Sequence, residues 1–86
     1  MENQQANLQI MIVLQEWDPL GYGVGSYETE AVDVLQAAHQ FDNPSKLARK
    51  IQSIFEFSFE EVIPLKECEK MAVKLLAILN NATCEL

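Results

Sequence analysis

The apolar positions of this 86-residue chain fall into four groups, each of which suits a helix that faces a core. The first group, from Ile10 to Leu14, is apolar nearly all round, and such a run is typical of either a buried helix or a buried strand. We favour a helix over residues 3–17, because the surrounding glutamines are good helix formers and no partner strand is evident elsewhere.

Capping residues and prolines place the next two helices. Ser26 can cap a second helix over residues 27–40, whose apolar residues recur with helical spacing. Asn43 followed by Pro44 is the strongest helix start in the chain, since asparagine suits the N-cap and proline suits the first helical position. The third helix is expected to end near Phe57.

The fourth helix is predicted from Pro64 to about Asn80, after a capping-box pattern at residues 58–61 that Pro64 limits to a single turn. Its apolar residues cover about 160° of the circumference, a width that indicates contact with more than one neighbour. Residues 1–86 are therefore predicted to form one all-α domain, a compact bundle of four helices with a Gly/Pro-rich loop between helices 1 and 2.

The loop between the first two helices is the leading candidate for a functional surface. Pro19 ends the first helix, and all three glycines of the chain follow it, so the backbone can adopt positive φ angles. Aromatic side chains around the glycines offer large contact area with few rotamers, and the carboxylates are expected to point to water. The candidate partner-binding residues are Trp17, Asp18, Tyr22, Tyr27, Glu28 and Glu30.

The sequence leaves two interpretations of this loop open. Tyr22, between two glycines, is the residue most expected to be exposed to a partner. Alternatively, Trp17 and Tyr27 pack into the core and lock the loop, with the Trp17 N–H reaching a carbonyl or Asp18.

The charge distribution restricts the classes of partner. The chain carries 13 acidic and 6 basic residues, a net charge of −7, and its first 43 residues hold seven acids and no base. Direct binding to nucleic acid or to an anionic membrane needs a positive patch and is disfavoured. The acidic half is either a solvated surface, partly neutralised by Lys46, Arg49 and Lys50, or a face for a basic protein.

Motifs for catalysis or ligand binding are weak. The glycine-rich loop lacks the spacing and the lysine of a phosphate-binding loop. His39 is the only histidine and has no suitable partner nearby in sequence, and Cys68 and Cys84 belong to no CxxC pair. We therefore predict no catalytic residue, disulfide, zinc site or cofactor. The chain shows neither a basic N-terminal region nor a long apolar stretch, which favours a cytoplasmic location.

The stretch WDPLG at residues 17–21, followed by Tyr27 and Glu30 at a helix start, resembles the YugE-like family of small bacterial proteins, a domain of unknown function found in bacilli. The resemblance would extend over nearly the whole chain. It implies a compact all-α fold and a bacterial cytoplasmic setting, and it implies no activity, catalytic residue or cofactor.

These observations favour a non-enzymatic interaction or regulatory module that presents residues 17–30 to an unidentified, preferentially basic protein. The alternative is a small divalent-metal-binding domain or enzyme that uses Asp18, Glu28 and Glu30. A third interpretation is an acidic mimic of nucleic acid. Homodimerisation also stays open, because the wide apolar faces of the first and fourth helices can exceed what one small bundle buries.

Overall fold

The structure is a computed structural model that describes residues 4–23 and 25–84, with side chains described up to Asn80. Within these residues it contains four helices and no strand, so the predicted all-α bundle of four helices is confirmed. The helices are α1 (Gln4–Trp17), α2 (Glu28–Gln40), α3 (Pro44–Phe59) and α4 (Leu65–Cys84).

The four helices form a closed ring of packed neighbours. α1 lies between α2 and α4, and α3 packs against the same two helices from the other side. α1 and α3 are therefore diagonal, and only side chains join them in the described part of the chain. Because short connections make successive helices antiparallel, α1 and α3 end at the same end of the bundle where α2 and α4 begin.

Apolar side chains from all four helices fill the interior. The apolar run that suited either a buried helix or a buried strand is part of helix α1. Its residues Ile10 and Leu14 are fully buried. Each such side chain contributes roughly 1.5–3 kcal/mol when it leaves water. The largest fully buried side chains are Tyr27, Phe55, Ile10, Leu14, Leu47, Ile51, Ile63, Leu75, Val34 and Cys68.

The N-terminus of α3 is capped as predicted. Asn43 Oδ1 accepts hydrogen bonds from the backbone N–H groups of Ser45 (2.9 Å) and Lys46 (3.2 Å), and Pro44 occupies the start of the helix. These bonds satisfy two of the N–H groups that the start of a helix leaves without a backbone acceptor.

The predicted cap of α2 is wrong. Tyr27 rather than Ser26 is the N-cap residue of α2, and no side-chain hydrogen bond caps the helix. The Ser26 hydroxyl donates instead to the Tyr22 carbonyl oxygen at 2.9 Å, within the connecting segment. The start of α2 is thus fixed by the burial of Tyr27, which is fully enclosed.

The capping-box prediction for residues 58–61 is also wrong. Ser58 and Phe59 continue α3 beyond its predicted end, because Phe59 packs inward against tyrosine rings. Glu60 ends the helix in the left-handed conformation (φ 57°), and its N–H donates to the Glu56 carbonyl oxygen at 2.8 Å. A residue that terminates a helix in this way cannot open the next one.

α4 starts directly after Pro64 and continues to Cys84, beyond the predicted end near Asn80. Cys68 on this helix is a free, fully buried thiol, and burial, aided by the charges of Glu67 and Glu69, raises its pKa to about 11. The thiol is therefore protonated at neutral pH and serves packing rather than nucleophilic chemistry.

Parts of the sequence predictions fall on positions without a structural description. Asn3, the predicted start of the first helix, and the Cys84 side chain lie outside the described residues. Among the helices that are described, none is long and apolar enough to cross a membrane.

Asn43→Ala is expected to lower the free energy of unfolding by about 1 kcal/mol, because two N–H groups at the start of α3 lose their side-chain acceptor. Urea denaturation followed by circular dichroism measures the effect. Ser45→Ala, an exposed change in the same first turn, is the matched control and is expected to cost less than about 0.5 kcal/mol. Equal losses in the two variants would show that the cap contributes nothing.

Candidate functional site

A pair of side chains, Asp18 and Tyr27, organises the segment that joins α1 to α2. The Tyr27 hydroxyl donates a hydrogen bond to Asp18 Oδ1 at 2.5 Å. The same hydroxyl oxygen accepts hydrogen bonds from the backbone N–H groups of Leu20 (3.3 Å) and Tyr22 (3.2 Å). The connecting segment is therefore folded around one phenol group.

Asp18 closes this turn from the other side. Its backbone has φ 43°, in the left-handed region that residues other than glycine rarely adopt. Its carbonyl oxygen accepts a hydrogen bond from the Gly21 N–H (3.3 Å), and its Oδ1 accepts one from the Gly23 N–H (3.1 Å). The carboxylate, expected to point to water, instead turns its Oδ1 back into the loop to accept these hydrogen bonds, while the residue as a whole stays half-buried.

Hydrogen bonding moves the pKa values of the pair in opposite directions. The bond from Tyr27, followed by the bond from the Gly23 N–H, lowers the pKa of Asp18 below its usual 3.8. Burial, followed by the bond to Asp18, raises the pKa of Tyr27 above its usual 10.0. At neutral pH the pair consists of a carboxylate and a neutral phenol, which is the combination that the hydrogen bond needs.

Aromatic rings connect this loop to the end of α3. Trp17 meets Phe55 edge to face, with ring centroids 5.8 Å apart. Tyr27 contacts both Phe55 (5.7 Å) and Phe59 (5.6 Å). Pairs in such geometries add roughly 0.5–1.5 kcal/mol to the burial of their area. The loop therefore packs on α3 as well as on the helices that it joins.

Tyr22 lies on the outer side of this cluster and is 47% exposed. Its ring centroid is 5.4 Å from that of Phe59 and 6.4 Å from that of Tyr27. Its hydroxyl donates to Glu61 Oε2, and this bond is the main reason why the pKa of Tyr22 is raised. Contacts on two sides hold an exposed aromatic ring in a defined position.

The six predicted site residues divide into a structural and an exposed group. Tyr27 is buried, Trp17 is half-buried against Phe55, and Asp18 is engaged within the loop. Glu30, predicted to face a partner, retains only 8% exposure on α2. Tyr22 and Glu28 are exposed and remain accessible to a partner.

Sequence reasoning missed two residues that support the site, Phe59 and Glu61. Phe59 lies under the Tyr22 ring, and Glu61 Oε2 accepts a hydrogen bond from the Tyr22 hydroxyl. Glu61 is separated from Tyr22 by 39 positions, and no local spacing signals such a contact. The continued apolar character of α3 up to Phe59 was the one sequence feature that pointed toward this packing.

The alternative metal site is not assembled. Asp18 is occupied by the Tyr27 hydroxyl and the Gly23 N–H, while Glu28 and Glu30 lie on α2. Among the residues that the structure describes, no group of three histidine, cysteine or acidic side chains is placed to hold a metal ion.

Acidic residues collect at one end of the bundle, which we call the acidic end and define as residues 16–30 and 56–67. These segments meet because the loop packs on the end of α3. Their formal charge is −7, equal to that of the whole chain. These segments contain one basic residue, Lys66, and eight acidic residues: Glu16, Asp18, Glu28, Glu30, Glu56, Glu60, Glu61 and Glu67.

The predicted neutralisation by Lys46, Arg49 and Lys50 does not reach this end. These residues occupy the first half of α3, and Lys50 shares a groove with Asp33 of α2 part-way along the bundle. The one ion pair within the described residues joins Lys70 to Glu67 at 3.8 Å, and it is exposed. The acidic end therefore keeps most of its charge unpaired.

His39 belongs to the opposite end of the bundle. It is exposed, and its Nε2 lies 2.8 Å from Asn7 Oδ1. The groove beside it, between the ends of α2 and α4, includes Phe41, Asp42 and Leu76 and has no serine, threonine, cysteine or lysine among its described lining residues. Among the described lining residues, His39 thus has no hydroxyl, thiol or amine nucleophile to activate.

Comparison with known proteins finds bacterial relatives over nearly the whole chain. The family model of a domain of unknown function, DUF1871, matches residues 9–85. The chain is 44% identical over 84 residues to the uncharacterized protein YugE of Bacillus subtilis (strain 168), covering 98% of each chain. It is also similar to the crystal structure of APC36109 from Bacillus stearothermophilus, with a TM-score of 0.89, 42% identity and coverage of 92% of this chain and 98% of that one.

Tyr27→Phe is expected to reduce the free energy of unfolding by about 1–3 kcal/mol, because the N–H groups of Leu20 and Tyr22 lose their acceptor and Asp18 loses its main donor. The measurement is urea denaturation monitored by Trp17 fluorescence. Tyr22→Phe removes an exposed hydroxyl and is the matched control, with an expected loss below about 0.5 kcal/mol. A larger loss in the control would contradict the central place given to Tyr27.

The stability difference between wild type and Asp18→Asn is expected to depend on pH. The folded pKa of Asp18 is depressed, so its carboxylate stabilises the fold above the unfolded pKa of about 3.9, and this stabilisation is lost as the pH falls through the folded pKa. Asparagine accepts the positive φ at this position. Unfolding measured between about pH 7 and pH 2.5 should show the gap closing, and a constant gap would refute the argument.

Proposed function

The chain belongs to the DUF1871 family, and we propose that it is a non-enzymatic interaction module whose acidic end binds a basic protein. The observation that carries the proposal is the exposure of Tyr22, an aromatic ring held in place where the chain is most acidic. Exposed aromatic residues in defined positions are frequent anchors of protein interfaces, because little conformational entropy is lost when they bind.

Charge supports a basic partner. The acidic end has a formal charge of −7, and the one ion pair within the described residues, Lys70 with Glu67, is exposed. Complementary potentials accelerate encounter and select partners, while nucleic acid and anionic membranes carry the wrong sign. One concrete form of the proposal is that this domain covers the basic surface of its partner protein and thereby neutralises it.

The arrangement of the loop supports binding rather than catalysis. Two of its titratable groups, Asp18 and Tyr27, are turned toward each other and toward the backbone, so they hold the loop together and do not face a ligand. Exposed Tyr22 and Glu28 offer contact area and charge. The setting that we propose is the bacterial cytoplasm, in agreement with bacterial relatives and with the free thiol of Cys68.

The test is quantitative crosslinking and pull-down from native cells, with tagged wild type and paired variants. Tyr22→Ala and Glu28→Lys are expected to reduce capture of the specific partner at least about tenfold, as loss of an interface anchor does. Capture should also fall as the salt concentration rises, because salt screens the apposed charges.

Two control variants lie outside the acidic end, and one of them matches Glu28→Lys in charge. Val73→Ala shortens an exposed apolar residue on α4, and Asp42→Lys makes the same charge change as Glu28→Lys at the opposite end of the bundle. Both should retain wild-type capture, and thermal unfolding should show all four variants folded. Unchanged capture by Tyr22→Ala and Glu28→Lys would overturn the proposal, and equal loss with Asp42→Lys would reduce it to a net-charge effect.

A further inference from the structure

α1 has two apolar faces, and only one of them is used by the bundle. Ile10 and Leu14 point into the core, whereas Leu8 and Ile12 project from the opposite side and are 61% and 47% exposed. Leu8 and Ile12 are one helical turn apart, so they form a continuous ridge. Together with Gln5 and Gln9 they line a shallow depression along the outside of the helix.

The outer face of α1 is free of charge except at its C-terminal end, where exposed Glu16 continues the ridge. No acidic or basic residue occurs in residues 4–15, although the chain as a whole carries −7. α2, α3 and α4 each place charged residues on their exposed surfaces, for example Asp33, Arg49 and Lys70. The first three turns of α1 therefore provide a surface on which two copies of this anionic chain can meet without charge repulsion, and Glu16 lies beyond this surface, at the acidic end.

We propose that this face binds the same face of a second copy of the chain, with α1 packed against α1 across a twofold axis. A twofold contact uses one patch twice, so the patch must complement itself. The Leu8–Ile12 ridge complements itself because apolar side chains of both copies are buried together. Gln5 and Gln9 complement themselves because a glutamine amide both donates and accepts hydrogen bonds. A charged partner would find no complementary group within residues 4–15.

Electrostatics determines the orientation of the two copies. A parallel arrangement would bring two acidic ends, each with a formal charge of −7, side by side. An antiparallel arrangement places them at opposite ends of the assembly, separated by far more than the Debye length of about 8 Å at physiological salt. The two α1 helices are therefore antiparallel, with Leu8 of one copy beside Ile12 of the other.

The size of the face limits the affinity. α1 has 14 residues and is about 21 Å long, so a single helix pair covers less than the roughly 800 Å² per partner of a standard stable interface. The dimer is therefore in concentration-dependent exchange with the monomer. The inference does not depend on the proposed function. The dimer is argued from Leu8 and Ile12, whereas the proposed function is argued from Tyr22 and the acidic end.

Sedimentation equilibrium over a range of protein concentrations tests the proposal. The average mass of the wild type should rise from one chain toward two, and Leu8→Gln/Ile12→Gln should stay at one chain throughout. Phe57→Gln is the matched control, because Phe57 is 89% exposed and lies on α3, diagonal to α1. Its mass should follow that of the wild type, and none of these changes alters the net charge.

Each other outcome counts against the proposal. Wild type that stays at one chain at millimolar concentration overturns it, whatever the variants do. Self-association that survives in the double variant, or disappears in Phe57→Gln, assigns the contact to another face. Association that strengthens steeply with salt would contradict the antiparallel arrangement, because only neighbouring acidic ends gain so much from screening. Circular dichroism confirms that the double variant is folded before its mass is interpreted.

Discussion

The hydrogen bond from the Tyr27 hydroxyl to the Asp18 carboxylate is the constraint on which the rest of the site depends. A phenol this deeply enclosed must find partners, and it finds them in Asp18 and in the N–H groups of Leu20 and Tyr22. Because Asp18 follows the last residue of α1 and Tyr27 precedes the first residue of α2, one interaction sets the entry and exit of the loop together. The positive φ angle of Asp18 is the conformational cost of that closure.

From this constraint the exposure of Tyr22 follows. The Tyr22 N–H is fixed by the Tyr27 hydroxyl, so the Tyr22 ring has to leave the loop on the side of α3, where Phe59 and Glu61 receive it. The ring is therefore exposed and ordered at once, which a glycine-flanked residue in a free loop would not be. The same packing brings the last turn of α3 to the loop and gathers the acidic end, although the acids come from segments far apart in the sequence.

The helices could be predicted from the sequence because the patterns that indicate them are local. Asn43 with Pro44, and the apolar spacing of α2 and α4, needed only neighbouring residues to be interpreted correctly. Predictions that depended on distant packing were wrong: Ser26 does not cap α2, since burial of Tyr27 sets the helix start, and Ser58 does not begin a helix, since Phe59 prolongs α3 into the aromatic cluster. The role of the loop as a binding surface stays a prediction, and its internal bonds and its contact with Glu61 have no periodic signature in the sequence.

Two surfaces with opposite character result from one 86-residue chain, and their geometry links the two proposals. The acidic end lies at a pole of the bundle, while the neutral ridge of Leu8 and Ile12 runs along its side. An antiparallel pair joined through the ridge would therefore present two acidic ends facing away from each other. Such a pair can bind a partner that has two basic sites, one at each acidic end. It binds more tightly than a single copy only if the spacing of the two sites matches that of the acidic ends, because only then can both contacts form at once. Weak pairing would then serve to select the partner by the spacing of its charges, a property that neither surface has alone.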